Sequence, residues 1–241
     1  MRCTSVVVVC AKSPVIEVHG RRPFVMHHWP LFDLTIRTPR VELRYVDEDI
    51  AAGLMDLAAT AGVHAPDFMP FTVPWTRFEP PYLQQQGMQH YWRSRAETSS
   101  ARWALPMAAH VDGELVGVQS VMANDFARSR WVETGSWITV PHQGRGIGKE
   151  MRAAVLHLAF DALGAEYAGT AAFHDNPSSI GVTRALGYRE NGFGLADREG
   201  TFERMLRFVM PRADWEAARR DDITVSGLEP CLPLLGLADA A

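Results

Sequence analysis

Three glycines at every second position, Gly144, Gly146 and Gly148, stand between a strand-like segment and a helix-like segment. Residues 131–140 before them are rich in β-branched and aromatic side chains, which is typical of a strand. The residues after them carry apolar side chains at intervals of three and four, which predicts an amphipathic helix. Because glycine has no side chain, backbone N–H groups can converge on an anion at the helix N-terminus, where the dipole also favours negative charge. The pattern therefore predicts a phosphate-binding turn.

The spacing of this turn excludes two common nucleotide-binding motifs. A P-loop needs a glycine at position 143 and a serine or threonine after Lys149, but the sequence has Gln143 and Glu150 there. A dinucleotide fingerprint would need its third glycine at position 149. The remaining pattern, Gln143-x-x-Gly146-x-Gly148, resembles the pyrophosphate loop of the GCN5-related N-acetyltransferases (GNAT family), across which acyl-coenzyme A lies. A plain strand-to-helix connection is the alternative.

A second block of residues resembles the same family. Asn176-x-x-Ser179 followed by Leu186-Gly187-Tyr188 is similar to the signature of the branch that acts on protein N-termini, where the Asn and Ser approach the pantetheine and the sulfur. Many other members carry a general-acid tyrosine seven residues after the Asn, and here that position is Thr183. The segment 69–77 also resembles an actinobacterial subgroup that uses succinyl-CoA as well as acetyl-CoA.

The resemblance implies acetyl-CoA or succinyl-CoA as cosubstrate and no metal ion. The turn, the end of the preceding strand and the Asn are then expected to contact the coenzyme: Ile138, Val140, Gln143, Gly144, Arg145, Gly146, Ile147, Gly148, Lys149 and Asn176.

Acyl transfer to an amine requires a base, an oxyanion donor and neutralisation of the leaving thiolate. Glu133 is the candidate base, because burial within an apolar strand would raise its pKa toward a useful value, although it could also be solvated or ion-paired. His142 and His174 are rivals. Ser179 is a candidate donor to the thiolate, and a first-turn serine bonded to backbone is the alternative. The oxyanion donor is expected to be a backbone amide within residues 137–140.

The amine acceptor is expected beside a loop with three prolines, residues 64–77, which is unusually apolar and should fold over the core or a ligand. Its candidate contacts are His64, Trp75 and Arg77, together with Trp137. An Arg77 guanidinium would suit a succinyl carboxylate, but it could equally be a surface charge. The two tryptophans could likewise be core residues.

The predicted elements follow the order of the GNAT fold over roughly residues 33–210. We therefore expect a single α/β (α+β) domain with a mixed, mostly antiparallel central sheet, flanking helices and splayed central strands. Residues 1–28 are interpreted as a poorly ordered extension, residues 29–220 as the acyl-CoA N-acyltransferase domain, and residues 221–241 as an irregular tail.

Composition limits the partners. The net charge of −4 does not suggest nucleic acid or an anionic membrane, and no apolar stretch has membrane-spanning length. The odd number of cysteines, three, without paired spacing fits a reducing cytoplasm. Expected partners are acyl-CoA and an amine acceptor (a protein N-terminus, a lysine or a small molecule), and a homodimer is left open. A small-molecule N-acetyltransferase, such as one acting on an antibiotic, and a non-catalytic acyl-CoA-binding module are the alternative functions.

Overall fold

The computed structural model describes residues 28–237. The predicted N-terminal extension, apart from its last residue, lies outside the described residues. No helix in the described part of the chain is long and apolar enough to cross a membrane.

A nine-stranded sheet in the order β7-β8-β6-β5-β4-β3-β2-β1-β9 forms the centre of the described part. The pair β5–β6 is parallel, and the other strand pairs whose registers are defined are antiparallel. The predicted fold class, a single domain with a mixed, mostly antiparallel sheet, is confirmed. The strands are β1 (Thr35–Arg37), β2 (Glu42–Tyr45), β3 (Arg102–Val111), β4 (Glu114–Asn124), β5 (Trp131–Ile138), β6 (Tyr167–Phe173), β7 (Arg189–Arg198), β8 (Thr201–Pro211) and β9 (Thr224–Ser226).

Helices pack on both faces of this sheet. The helix after the glycine turn, α4, packs with Val132 of β5 in one core, whereas α1 and α2 pack with Trp137 of β5 in a second core. Alternate residues of one strand point to opposite faces, so β5 contributes to both cores. The helices are α1 (Glu48–Ala61), α2 (Tyr82–Ala96), α3 (Phe126–Ser129), α4 (Ile147–His157, continued by a π-helical turn over Leu158–Ala162), α5 (Pro177–Ala185) and α6 (Arg212–Ala217).

The two parallel strands β5 and β6 separate after a short pairing. Their register covers only Trp131–Glu133 against Tyr167–Gly169, although the strands continue to Ile138 and Phe173. The last links are made by two threonines: Thr134 Oγ1 donates to the Gly169 carbonyl at 3.3 Å, and Thr170 Oγ1 donates to the Thr134 carbonyl at 3.0 Å. Beyond these links a wedge-shaped gap opens toward the carboxyl ends of both strands. The predicted splaying of the central strands is therefore present.

The segment predicted to be an irregular tail is instead part of the folded domain. Residues 224–226 form the edge strand β9, which pairs antiparallel with β1. Cys231, Leu235 and Leu237 are buried in the same core as α4. A three-residue strand is too short to show alternation in the sequence, and its partner lies nearly 190 residues away, so local patterns could not reveal it.

The N-terminus of α4 is anchored to the β1–β2 connection by one buried carboxylate. Glu150 accepts hydrogen bonds from Thr38 Oγ1 at 2.6 Å, Arg40 Nε at 2.8 Å and the Arg40 backbone N–H at 3.2 Å. Burial alone would raise the pKa of Glu150, but these hydrogen bonds outweigh it and lower the pKa below its ordinary value. The carboxylate therefore stabilises the folded state in its charged form.

The Glu150→Gln substitution should lower the free energy of unfolding by about 1–3 kcal/mol at neutral pH, because the Thr38 and Arg40 donors lose a charged acceptor. Since the folded pKa is lowered, this stabilisation is complete above the ordinary value of 4.5 and is lost as the pH falls through the folded value. Urea unfolding across this range measures the effect. Glu190→Gln is the control: it removes an ion pair in which both side chains are 59% exposed, and it should cost less than about 0.5 kcal/mol. A Glu150→Gln deficit that did not change with pH would contradict the assignment.

Candidate active site

The glycine turn has the backbone conformation that its sequence predicts. Gly144 and Gly146 adopt φ angles of 71° and 78°, a region that residues with side chains rarely adopt. The Gln143 side chain donates to the carbonyls of Val63 and Ile138 at 2.7 and 2.8 Å. Its backbone N–H donates to the Val140 carbonyl. Gln143, predicted to contact the coenzyme, therefore fixes the turn between α1 and β5 with both its side-chain amide and its backbone N–H.

Helix α4 starts directly from this turn without a capping side chain. Gly146 is the N-cap residue and supplies no side-chain hydrogen bond. The backbone N–H groups of Ile147, Gly148 and Lys149 belong to the first turn, which has no intrahelical acceptors. Arg145 and Lys149 are exposed beside them. The turn thus presents free donors, a positive helix end and two cations to an anion.

Close packing explains the third glycine. A Cβ at Gly148 would lie 3.3 Å from Ile138 Cδ1 on β5 and 3.8 Å from Val182 Cγ2 on α5. The 3.3 Å contact is tight and the 3.8 Å contact is ordinary, so glycine here mainly lets the start of α4 approach β5. Ile138 is half-buried and Val140 is 47% exposed, so these two predicted contacts lie at the turn side of the gap.

The opposite wall of the gap is the start of α5. Asn176 is buried and its Oδ1 accepts from the Ser179 backbone N–H at 3.1 Å, so Asn176 caps α5. Among the described residues, the Ser179 hydroxyl has no hydrogen-bond partner and remains available to a ligand. Thr183, which replaces the tyrosine acid of other members, is buried and donates back to the Ser179 carbonyl at 2.8 Å. Thr183 cannot act as the acid in this arrangement.

Glu133 lies at the vertex of the gap, on the sheet face that carries Trp137. Its Oε1 accepts from Trp131 Nε1 at 2.6 Å. A Cβ on Gly169 of β6 would overlap the same carboxylate, so glycine at this position lets Glu133 lie against β6. Desolvation raises the pKa of Glu133 above its ordinary value, opposed by the Trp131 hydrogen bond and the Arg207 charge. A carboxylate with a raised pKa at this position has the property of a general base.

The two rival histidines are placed less favourably. His142 Nδ1 lies 3.0 Å from Thr139 Oγ1, and its Nε2 lies 3.7 Å from Glu114 at the start of β4. His142 therefore faces the β3–β4 side of the turn. His174 follows β6, is exposed, and its Nδ1 lies 3.3 Å from the Arg204 carbonyl. Neither residue shares the vertex with Glu133.

The proline loop, residues 64–77, folds over the end of β5 as predicted. Its aromatic rings pack in a row that continues onto β5. The ring centroids are 5.9 Å apart for His64 and Phe71, 5.5 Å for Phe71 and Trp75, and 5.8 Å for Trp75 and Trp137. Both His64 ring nitrogens are engaged inside the loop, with Thr76 Oγ1 at 2.6 Å and the Ala65 carbonyl at 2.7 Å. The loop is thus a packed aromatic cover beside the gap.

Arg77 is not free to receive a carboxylate from a ligand. Its Nε and Nη2 form a bidentate pair with Glu199 at 2.8 and 3.1 Å. Arg198 makes a second connection, donating to the Met69 carbonyl at 2.8 Å. These two arginines join the proline loop to the tip of the β7–β8 hairpin. The expectation that Arg77 binds a succinyl carboxylate is therefore not supported, because a carboxylate of the chain already occupies its fork.

Sequence reasoning missed two arginines near the gap. Arg40 reaches the turn from the β1–β2 connection, and its Nη2 donates to the Arg145 carbonyl at 3.3 Å. Arg152 lies within α4 and is only 3% exposed. Neither belongs to a motif, and no local pattern shows that residues so distant in the sequence meet at one site.

Residues 40–189, more than half of the chain, match the acetyltransferase (GNAT) domain. The chain belongs to the GNAT acetyltransferase family.

Solved structures with the same fold include acetyltransferases and structures with bound CoA. RimJ of Mycobacterium smegmatis, in complex with a CoA disulfide, is 23% identical with a TM-score of 0.63, covering 79% of this chain and 95% of its own. RimL, a ribosomal-protein α-N-acetyltransferase in complex with coenzyme A, is 18% identical with a TM-score of 0.62, covering 72% and 95%. A spermidine N-acetyltransferase chimera that includes SpeG of Vibrio cholerae is 15% identical with a TM-score of 0.58, covering 73% and 98%. At these identities the likeness shows a common fold.

Gly146→Ala should weaken CoA binding by about tenfold or more, because a Cβ would enter the space in front of the first helical N–H groups. Isothermal calorimetry with CoA measures the loss. Gly192→Ala is a matched control: its φ of 77° nearly equals the 78° of Gly146, and a Cβ there meets no atom within 4 Å. Both variants should lose about 1–2 kcal/mol of stability from the left-handed backbone. Equal CoA affinities of the two variants would contradict the phosphate assignment.

Proposed function

We propose that this protein is an N-acyltransferase that moves an acetyl group from acetyl-CoA to a primary amine by direct attack in a ternary complex. The observation that carries this proposal is the gap between β5 and β6, with the uncapped glycine turn at its open end and the carboxylate of Glu133, whose pKa is raised, at its vertex.

The coenzyme is placed by the polar groups of the gap. Its pyrophosphate would accept from the backbone N–H groups at the start of α4, with Arg145 and Lys149 beside it. Its pantetheine would enter the gap and use backbone groups of residues 135–138, which lie beyond the last links between β5 and β6. Asn176 fixes the start of α5, and with it the backbone of Ser179, whose hydroxyl we assign to the thiol end of the coenzyme. This placement orders the coenzyme from the turn to the vertex, with the acyl group innermost.

The chemistry then needs one carbon–nitrogen bond to form and one carbon–sulfur bond to break. The amine nitrogen attacks the thioester carbonyl, and Glu133 takes the proton that the nitrogen releases, directly or through water. A backbone N–H of β5 stabilises the oxyanion. The tetrahedral intermediate collapses to an amide and a CoA thiolate, toward which the Ser179 hydroxyl donates a hydrogen bond. In this mechanism the protein positions the reactants, accepts one proton and stabilises the developing charges.

The acceptor would approach on the face that carries Glu133 and Trp137, beside the proline loop. RimL acts on a ribosomal-protein α-amine and SpeG on spermidine. Both acceptors are primary amines on extended chains, and we propose the same class here. A small-molecule amine such as an antibiotic is the second candidate. A non-catalytic acyl-CoA-binding module is less well supported, because a binding protein has no need of a carboxylate held at a raised pKa.

Glu133→Gln should lower kcat by about a hundredfold or more at neutral pH while CoA affinity stays close to wild type. The rate should recover at alkaline pH, where more of the amine is already deprotonated. Steady-state release of CoA thiol with an amine panel measures both. Full activity at neutral pH would move the role of base to His174 or to solvent.

The stability of the Glu133→Gln variant distinguishes a catalytic role of Glu133 from a structural one. Because the folded pKa of Glu133 is raised, ionisation costs stability as the pH rises through that folded value. At neutral pH the uncharged glutamine avoids this cost, so Glu133→Gln should be at least as stable as wild type. A lower Tm together with lower activity would indicate a structural role instead.

A further inference from the structure

A second opening lies beside Glu133 on the same face of the sheet. It is a cleft of about 300 Å³ between the C-terminal half of α2 and the strands β3 and β4. Met122 lines this cleft, and it is the residue of β4 that lies directly opposite Glu133 of β5. Met122 is 36% exposed. The cleft is therefore one strand away from the candidate base, on the side of β5 that faces away from β6.

The register of the sheet fixes how far the cleft extends from Glu133. Ala104 of β3 lies opposite Met122, so Glu133, Met122 and Ala104 form one row across three strands. Adjacent strands are about 4.8 Å apart, which puts Ala104 about 10 Å from Glu133. Ala104 and Met122 give the cleft an uncharged floor. A molecule whose amine nitrogen is at Glu133 can therefore extend over Met122 into the cleft.

Arg93 gives the cleft a positive charge that is not compensated. Its side chain lines the cleft, and among the described residues no carboxylate lies within ion-pairing distance of it. The two other arginines nearby have partners, because Arg95 pairs with Glu48 and Arg102 pairs with Glu97 at 3.3 Å. Arg102 and Glu97 both line the cleft, so their charges cancel. The net charge of the lining is then that of Arg93.

The remaining polar groups of the cleft are neutral. His90 and Arg93 are three residues apart on α2 and both line the cleft. Desolvation and the Arg93 charge lower the pKa of His90 below its ordinary value, so its ring is uncharged at neutral pH. A neutral imidazole and the Ser94 hydroxyl can each donate one hydrogen bond. A guanidinium with two neutral donors beside it suits a carboxylate.

We propose that this cleft binds a carboxylate of the amine acceptor, about 10 Å from the nitrogen that is acylated, and that Arg93 recognises it. This inference rests on the proposed function, in which Glu133 receives the proton of that nitrogen. An extended peptide spans about 3.3 Å per residue, so an acidic side chain at the second or third position of a protein N-terminus would supply the carboxylate. In a small molecule, an ω-amino acid of the same span would supply it. A polyamine such as spermidine would instead bring a second positive charge toward Arg93, which disfavours it.

The test measures kcat/KM with acetyl-CoA and the peptide amides Ser-Ala-Glu, Ser-Ala-Gln and Ser-Ala-Lys, which differ only in the last side chain. Wild type should prefer the Glu peptide over the Gln peptide by about five- to tenfold, the scale of a partly exposed ion pair, and the Lys peptide should be the poorest. Arg93→Gln should bring the three values close together. Arg93→Glu should reverse the order while CoA affinity stays unchanged. An ω-amino acid and its amide, compared in the same way, test the small-molecule source.

Arg184→Gln is the matched control. It removes the same charge from α5, which packs on the opposite face of the sheet, where Arg184 is 59% exposed and paired with Glu190. The preference for the Glu peptide should not change in this variant. A structural effect of lost positive charge in general would affect both variants alike.

Equal kcat/KM values of wild type for the charged and the neutral member of both pairs would overturn the proposal. A preference for the Glu peptide that survives in Arg93→Glu would also overturn it, as would spermidine turnover as efficient as that of the Glu peptide. A preference within the peptide pair identifies a peptide acceptor, and one within the ω-amino acid pair alone identifies a small molecule; both support the carboxylate site. If CoA binds but no amine is acylated, the proposed function fails. Calorimetry of the Glu and Gln peptides on the CoA complex then decides, since equal affinities would overturn the carboxylate site.

Discussion

The separation of β5 from β6 is the constraint on which the rest of the site depends. Two parallel strands that stayed paired would satisfy each other's backbone groups and leave no room for a ligand. Here the pairing ends at Glu133 and Gly169, and two threonine hydroxyls close the vertex. The unpaired backbone beyond that point needs partners, and an extended ligand with amide groups can supply them. The two strands thus lose backbone hydrogen bonds to each other, and the separation leaves a gap that a ligand can enter.

The elements after each strand suit the anionic, extended ligand that we propose for this gap. A bare glycine turn and an uncapped helix follow β5, whereas a capped helix with a free serine hydroxyl follows β6. The difference in capping is physically meaningful, because an occupied helix N-terminus cannot bind phosphate. Glu150 holds the start of α4 against Thr38 and Arg40, so the donors are presented in a fixed orientation.

Charge is distributed around the gap in three different ways. Arg77 and Arg198 form hydrogen bonds that join the proline loop to the β7–β8 hairpin. Glu133 is held beside an indole N–H and a glycine, where desolvation raises its pKa. Arg152 is buried with neutral oxygens as its hydrogen-bond partners. These surroundings decide which charged groups are available to a substrate and which serve the fold.

The sequence alone determined the features that depend on neighbouring residues. The glycine spacing predicted the turn, and the β-branched run before it and the helical period after it predicted the strand and the helix on either side. Each follows from local backbone geometry. Tertiary structure decided the features that join distant segments: β9 on the sheet edge, the Glu150 anchor, the Arg77–Glu199 pair and the position of Arg152. A side chain's residue type fixes its charge, but its partner depends on which strands and loops fold against it, and that information is absent from local spacing.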